Sequence, residues 1–299
     1  MTRIVFVGGT GRCGTNIMKD ILTLHPKVAS HPFEYRFIID PDGIIDFYTT
    51  ALNCWSPYTI DQKLHRLESF LMVLAKKYEG KEIYIDWELN EHLPGYEENV
   101  HKLIDELVVF KYIGEHYGLV EKRDVYFMRC WTRSELSRVL GCFIRNLIDG
   151  YLRREGGDVY VEDNTHNILF AKEILELLPE AKFIHMVREP KDVIASLSKQ
   201  RWVPSDKVKA AKWYKEVISR IEDVKKEIPE KTIMVVDLYE LVDDTERVLT
   251  DVCDFLDIPF SDKMLDMDLS KSHRGRWREE FSADESKIIQ RILEGWLVG

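Results

Sequence analysis

Short apolar runs alternate with amphipathic stretches at both ends of the chain. Residues 4–7 form an apolar run that ends in two glycines, and this pattern predicts a buried strand. A helix is predicted over residues 15–24, where apolar positions recur on one face. Further strands are predicted at 159–161, 183–187 and 233–236, and helical patterns separate them. Strands alternating with helices predict a parallel sheet that binds ligands at its carboxyl edge.

The middle of the chain, from about 44 to 155, has a different pattern. Its leucines keep helical spacing, as at Leu64, Leu67 and Leu71, which is typical of core packing. We therefore predict an α/β fold with a P-loop-like parallel sheet flanked by helices and a mostly helical insertion. A chain of 299 residues is long enough for this to be one domain spanning residues 1–299.

Composition restricts the classes of ligand and the compartment. The net charge of −10 gives no overall basic surface for nucleic acid, so an anionic ligand requires a local cluster of arginines and lysines. Five scattered cysteines without a Cys-x-x-Cys pair indicate reduced thiols in a cytoplasmic protein. No apolar run approaches the ~20 residues of a membrane span or the core of an export signal. The histidines show no metal-ligand spacing, so no metal is predicted.

A glycine-rich loop lies between the first predicted strand and the first predicted helix. Glycines allow the backbone to approach a ligand closely, and the N–H groups at a helix start attract an anion. The loop therefore predicts a phosphate or sulfate site. The residues expected to contact this ligand are Gly9, Thr10, Gly11, Arg12, Cys13, Gly14, Thr15 and Asn16.

Two other nucleotide sites have similar glycine spacing. The three alternating glycines match G-x-G-x-x-G, and Glu34 lies about where an acid would bind ribose in an NAD(P)-dependent oxidoreductase. Against this, Pro32 would interrupt the strand that should precede that acid. The spacing from Gly9 to Gly14 also opens a Walker A motif, but Thr15 stands where the lysine should follow. An ATP or GTP site would lose its main charged contact.

A second candidate anion site follows the strand predicted at 183–187. Arg188 stands at the end of that strand, and Ser196 lies two turns into the next helix. An arginine fork and a hydroxyl can together hold a phosphate. Alone, Arg188 would be better explained as a surface ion pair with Glu189 or Asp192, and Ser196 as an ordinary helix residue. The prediction of a second phosphate site therefore depends on its combination with the glycine loop.

Together the two sites resemble those of the sulfotransferase family. The glycine loop is similar to the family's G-x-R-S-G-T-T loop, with Cys13 in place of the usual serine and Asn16 in place of a common second threonine. The second site is similar to the family's R-x-P-x-D-x-x-x-S motif, and four residues match it: Arg188, Pro190, Asp192 and Ser196.

The resemblance extends over residues 1–40 and 158–299 and fades over about 44–155. Near the C-terminus, Arg274, Gly275 and Arg276 resemble the basic loop that closes over the nucleotide in this family. The resemblance implies a sulfotransferase that uses 3′-phosphoadenosine-5′-phosphosulfate (PAPS) as co-substrate and needs no metal. It implies a hydroxyl acceptor, which is a sugar, a lipid, a peptide tyrosine or a small molecule, in a pocket shaped by the helical region. The alternative on the same fold is a catalytically silent nucleotide-binding protein.

Glu34 is the first candidate for the general base. His25 to Val28 followed by Glu34 and Arg36 resembles the H-P-x-V…E-x-R pattern of the tyrosylprotein branch, in which the glutamate takes the proton. This resemblance implies that Arg36 orients the base or the acceptor, and Arg12 can meet charge on the transferring oxygens.

Two observations leave other interpretations of these residues open. Glu34 and Arg36 would also be explained by a surface ion pair. His166 is an alternative base, in a segment where many relatives carry K-T-P or K-D-P and Asp163 takes the lysine position.

Overall fold

The main sheet consists of five parallel strands. The structure is a computed structural model that describes residues 2–76, 87–115, 122–269 and 273–294. The strands of the sheet are β1 (Arg3–Gly8), β2 (Val28–Ala29), β5 (Val159–Glu162), β6 (Lys182–Val187) and β7 (Ile233–Asp237). They lie in the order β2-β5-β1-β6-β7. All the pairs are parallel, so the predicted strands and the α/β class are confirmed.

Helices connect these strands and also follow the last of them. They are α1 (Thr15–Thr23), α2 (Arg36–Ile39), α3 (Ile44–Asn53), α4 (Pro57–Val73), α5 (Leu89–His92), α6 (Tyr96–Leu107), α7 (Arg133–Glu155), α8 (Ala171–Leu177), α9 (Pro190–Leu197), α10 (Lys207–Glu227), α11 (Leu238–Asp243), α12 (Thr245–Leu256), α13 (Trp277–Glu280) and α14 (Ala283–Leu293). Among the helices of the described ranges, none has the length and apolar content to cross a membrane.

The sheet separates two hydrophobic clusters. Along β1, Ile4 and Phe6 face one cluster, whereas Val5 and Val7 face the other. This alternation follows from strand geometry, which points successive side chains to opposite faces. Helices α3, α4, α6 and α7 fill the first cluster, and α1, α9, α10 and α12 fill the second. The sheet is therefore covered on both faces, as parallel sheets usually are.

The region from 44 to 155 is mostly helical, as predicted, but it also contains a two-stranded antiparallel sheet. Strand β3 (Phe110–Gly114) pairs with β4 (Arg123–Phe127), and neither strand was predicted. Nearly all of β3 is exposed on both faces, so burial imposes no alternation of polar and apolar residues on its sequence. The parts of the predicted helical region at 77–86 and 116–121 lie outside the described residues.

Candidate active site

The loop between β1 and α1 adopts a left-handed backbone at three residues. The φ angles are 81° at Gly11, 58° at Arg12 and 105° at Gly14. Gly14 is the N-cap of α1, and no side chain caps this helix. N–H groups at an uncapped helix start lack intrahelical partners and favour an anion, as does the helix dipole. The glycines and the uncapped start of α1 therefore produce the backbone arrangement of an anion-binding site.

The Cys13 side chain points into the protein. Only 1% of Cys13 is exposed, and a Cβ atom at Gly9 would lie 2.5 Å from its sulfur. Burial raises the pKa of the thiol, although backbone N–H groups of Gly11 and Thr10 oppose the rise. An anionic ligand in the loop would therefore contact the backbone of Cys13 rather than its side chain. Gly9 is required for packing, because its Cβ would also lie 2.7 Å from the Met186 carbonyl oxygen.

The other two loop glycines face different neighbours. A Cβ atom at Gly14 would lie 2.9 Å from Leu238 Cδ1, so a side chain there would strike the protein before reaching a ligand. A Cβ atom at Gly11 would lie 2.8 Å from Cη2 of Trp202. Of the remaining loop residues expected to contact the ligand, Thr10 and Thr15 are buried and Asn16 is exposed.

Arg12 connects the glycine loop to the second predicted anion site. Its Nε donates a hydrogen bond to Ser196 Oγ at 3.1 Å, and its carbonyl oxygen accepts one from Arg188 Nη1 at 3.3 Å. Arg188 is only 9% exposed, so it is not a surface residue. Strands β1 and β6 are neighbours in the sheet, and both segments follow their carboxyl ends. The two predicted anion sites therefore lie side by side.

Tyr239 belongs to the same group of side chains, although the sequence analysis did not select it. Its hydroxyl accepts a hydrogen bond from Arg188 Nε at 3.1 Å and donates one to Asp192 Oδ2. Burial and this carboxylate raise the pKa of Tyr239 to about 12. Tyr239 lies two residues beyond the carboxyl end of β7. Its position just after a predicted strand is the signal that would have found it.

Asp192 connects this group to the C-terminal segment. Its carboxylate accepts hydrogen bonds from the backbone N–H of Gly275 at 2.8 Å and of Trp277 at 3.1 Å. Arg188 Nη2 donates to the carbonyl oxygen of His273 at 3.0 Å. The aspartate of the motif thus fixes the position of the segment that resembles the family's basic loop.

The two arginines of that segment have protein partners in this conformation. Arg274 Nη2 lies 2.7 Å from the Asp243 carboxylate, and its guanidinium lies 4.4 Å from the centre of the Tyr239 ring. Arg276 Nε lies 3.4 Å from the Glu280 carboxylate. These carboxylates would compete with an anionic ligand for both guanidinium groups.

Glu34 and Arg36 form the ion pair that the sequence analysis considered. Arg36 Nη1 lies 3.4 Å from Glu34 Oε2, but its Nε is closer to Asp40 Oδ2, at 2.7 Å. The side chains of Glu34 and Arg36 remain 36% and 40% exposed. Burial raises the pKa of Glu34, and the Arg36 charge opposes that rise. A carboxylate with a raised pKa that is still accessible suits proton transfer.

His166 lies close to the same charges. Its Nε2 is buried and has no hydrogen-bond partner within the described ranges. Burial lowers the pKa of His166, and the charge of Arg36 lowers it further. The residue before it, Thr165, accepts a hydrogen bond from the Gly9 N–H at 2.8 Å. Both candidate bases therefore lie in one neighbourhood, beside the glycine loop.

A buried ion pair that the sequence did not indicate completes this neighbourhood. Lys19 Nζ, from α1, lies 3.0 Å from Asp163 Oδ2, and the two side chains are 15% and 3% exposed. Asp163 directly follows β5, and Lys19 brings a cation to it from α1. Both charges act on the pKa of Glu34, which Asp163 raises and Lys19 lowers.

Comparisons with known proteins agree on one family. The model of the sulfotransferase family matches residues 5–262. Among solved structures, the sulfotransferase domain of the Synechococcus PCC 7002 olefin synthase has 17% identity and a TM-score of 0.52, covering 97% of this chain and 94% of that chain. The sulfotransferase domain from the curacin biosynthetic pathway has 14% identity and a TM-score of 0.51, covering 100% of this chain and 99% of that chain.

At these identities the two solved structures show a common fold. A search of curated proteins finds no significant match. The range matched by the family model contains the glycine loop, Glu34, His166 and the Arg188 motif, and it ends before the segment of Arg274. Since this range is well over half of the chain, the protein belongs to the sulfotransferase family and is a sulfuryl-transferring enzyme.

Proposed function

We propose that the protein transfers a sulfuryl group from PAPS to an acceptor hydroxyl. The glycine loop would hold the 5′-phosphosulfate, and Arg188 with Ser196 would hold the 3′-phosphate. The observation that carries this proposal is the position of Arg12, which hydrogen-bonds to Ser196 and Arg188 from within the glycine loop. One ligand with two anionic groups fits this arrangement better than a ligand with one.

Glu34 is the proposed general base. In the reaction, the acceptor oxygen forms a bond to sulfur while the bond between sulfur and the phosphate oxygen breaks, which releases 3′-phosphoadenosine-5′-phosphate (PAP). The acceptor proton passes to Glu34, whose side chain is more accessible than the buried Nε2 of His166. Arg12 and the loop N–H groups would stabilise charge on the transferring oxygens.

The C-terminal segment would complete the donor site. Arg188 and Asp192 already hold its backbone at His273 and Gly275. We infer that Arg274 and Arg276 exchange their carboxylate partners for phosphate oxygens when the nucleotide binds. A phosphate can accept two N–H groups of a guanidinium at once, whereas the contacts of Arg274 and Arg276 with their carboxylates each involve one nitrogen.

The helical region would contribute to the acceptor side of a single domain. His92 lies at the end of α5, and its ring contacts the rings of His31 at 4.9 Å and Phe33 at 5.5 Å. Trp87 also contacts Phe33, at 6.4 Å. These aromatic contacts bring the helical region next to the residue that precedes Glu34, and they support its proposed part in shaping the acceptor pocket.

Ligand-induced stabilisation tests the donor. We expect PAP to raise the free energy of unfolding by about 2.7 kcal/mol at 100 times its Kd, and ATP and NADP to have much smaller effects. Consumption of PAPS then separates an enzyme from a silent binding protein. Stabilisation by NADP alone would favour an oxidoreductase, and tight PAP binding without PAPS turnover in the presence of any acceptor class would favour the silent protein.

A further inference from the structure

Trp202 is an exposed aromatic residue beside the glycine loop. Half of its surface is accessible, and its ring edge lies against Gly11, where a Cβ atom would come within 2.8 Å. The ring centres of His166 and Trp213 lie 6.2 Å and 5.6 Å from that of Trp202. An accessible apolar face therefore adjoins the loop that is proposed to hold the transferring group, and the proposed donor site does not use it.

Polar groups also lie near His166. The charges of Arg36 and Asp40 both act on His166, and Arg36 and Glu34 are accessible to solvent. With the pair formed by Lys19 and Asp163, the neighbourhood holds three carboxylates and two cations. Arg12 of the adjoining glycine loop adds a third cation, so the opposite charges balance and the site gives no net attraction to a charged acceptor.

We propose that Trp202 is the acceptor platform and that the acceptor is a neutral carbohydrate, an inference that rests on the proposed sulfuryl transfer. A sugar ring has an apolar C–H face, which can lie on the indole, and hydroxyl groups around its edge. One hydroxyl would receive the sulfuryl group and give its proton to Glu34. Neighbouring hydroxyls would hydrogen-bond to Arg36 and Glu34.

A phenol fits the same surroundings less well. Its ring would pack on Trp202, but its single hydroxyl would be used in the reaction. The accessible parts of Arg36 and Glu34 would then lose water for no new hydrogen bond, which is costly for charged groups. A polyhydroxylated ring satisfies both the aromatic and the polar sides of this surface.

The experiment measures sulfuryl transfer from PAPS to lactose, cellobiose and chitobiose, with p-nitrophenol and a tyrosine peptide as competing acceptor classes. We expect transfer to at least one disaccharide in the wild type. In Trp202→Ala the KM for that sugar should rise about tenfold or more, since stacking on an aromatic ring contributes about this much. Trp202→Phe should have a smaller effect, and the Kd of PAP should stay within about twofold in both variants.

Tyr58→Ala serves as the control, because Tyr58 is another exposed aromatic residue, on α4 in the helical region. Its KM for sugar should not change. If Trp202→Ala does not fold, a fluorescence measurement replaces the KM comparison. The sugar should then quench tryptophan fluorescence in the wild type, and the quenching should be smaller in Trp202→Phe.

The outcomes separate the two proposals. Failure of the wild type to bind PAP or to use PAPS would overturn the proposed function. PAP binding with transfer to the phenol or the peptide and to no sugar would leave the proposed function intact and overturn the carbohydrate acceptor. Transfer to sugar with an unchanged KM in Trp202→Ala would overturn the platform.

Discussion

Two buried aspartates, Asp192 and Asp61, show how the part of the chain that holds the main sheet (the sheet region) differs from the helical region at about 44–155. Asp192 accepts backbone N–H groups of the C-terminal segment, and its partner Tyr239 contacts Arg188 in the proposed donor site. Asp61, in α4, accepts the N–H of Tyr126 at 2.8 Å and pairs with Arg123, both in β4. The contacts of Asp192 connect it to a proposed ligand site. Those described for Asp61 with β4 join one helix to a neighbouring hairpin.

The difference follows from the architecture. In a parallel sheet the carboxyl ends of the strands converge at one edge, so side chains from distant segments meet there. Long-range polar contacts of the helical region, such as that of Arg133 in α7 with Glu176 in α8, join adjacent elements at the surface. Changes in the sheet region should therefore alter chemistry or donor affinity, and changes in the core of the helical region should alter stability and leave donor affinity unchanged.

The largest expected effect is that of Glu34→Gln. This change keeps the size of the side chain and removes its basicity, so kcat should fall by about 10²–10⁴-fold, the usual contribution of a general base. The Kd of PAP should barely change, because the proposed phosphate contacts lie elsewhere. Assays with saturating PAPS measure kcat, and calorimetry measures the Kd of PAP. Near-normal turnover in Glu34→Gln together with a loss in His166→Ala would assign the base to His166.

The pH dependence of the wild type sharpens this assignment. Burial raises the pKa of Glu34 above the model-peptide value of 4.5. A base acts only when it is deprotonated, so kcat should fall as the pH drops through this raised pKa. The acidic limb of the pH profile should therefore lie above pH 4.5, and Glu34→Gln should remove that limb. An acidic limb that persists unchanged in the variant would argue for a different base.

Leu140→Ala tests the helical region. Leu140 is fully buried in α7, within the cluster on one face of the sheet. Truncation of a buried leucine leaves a cavity and costs about 2–5 kcal/mol, so the free energy of unfolding should fall by this amount. The Kd of PAP, measured where the variant is still folded, should remain within about twofold. A large loss of PAP affinity would break the distinction between the two regions.

Arg188→Ala should raise the Kd of PAP by about 100-fold. The guanidinium is buried against Arg12, Tyr239 and His273, and removal of a hydrogen-bonded charge from a phosphate site costs about 2–5 kcal/mol. Arg133→Ala is the matched control, since Arg133 is a surface arginine in an ion pair of the helical region. Equal PAP affinities of the two variants would exclude Arg188 from the donor site.

The smallest effect is expected for Asp192→Asn. The Asp192 carboxylate accepts from Gly275 on Oδ2 and from Trp277 on Oδ1, and asparagine keeps only one acceptor oxygen and no negative charge. The C-terminal segment should therefore be held less firmly, and the Kd of PAP should rise about tenfold. Asp61→Asn is the counterpart in the helical region and should lower stability alone. Calorimetric titration with PAP measures the Kd of both variants, and thermal unfolding measures their stability. A tenfold loss in Asp61→Asn as well would contradict the comparison.

The sequence predicted the parts of the molecule whose signals are local. The apolar run of β1, the glycine loop and the motif that begins at Arg188 each lie within a short segment, and each has a characteristic spacing. The pair of Lys19 and Asp163 has no such signal, because its two charges are far apart in the chain and meet only through the packing of α1 on β5. Tyr239 also stands outside any motif. Strand β3 escaped prediction because exposure on both faces removed the alternation that marks a strand.

The burial of Cys13 also determines where the protein can be labelled. Cys13 and Cys253, both in the sheet region, are buried, whereas the three accessible thiols, Cys54, Cys130 and Cys142, all belong to the helical region. A maleimide dye or spin label applied to the native protein would attach to the helical region and leave the glycine loop unmodified. Labels at these three natural positions can therefore report how the acceptor side moves while the donor site remains chemically intact.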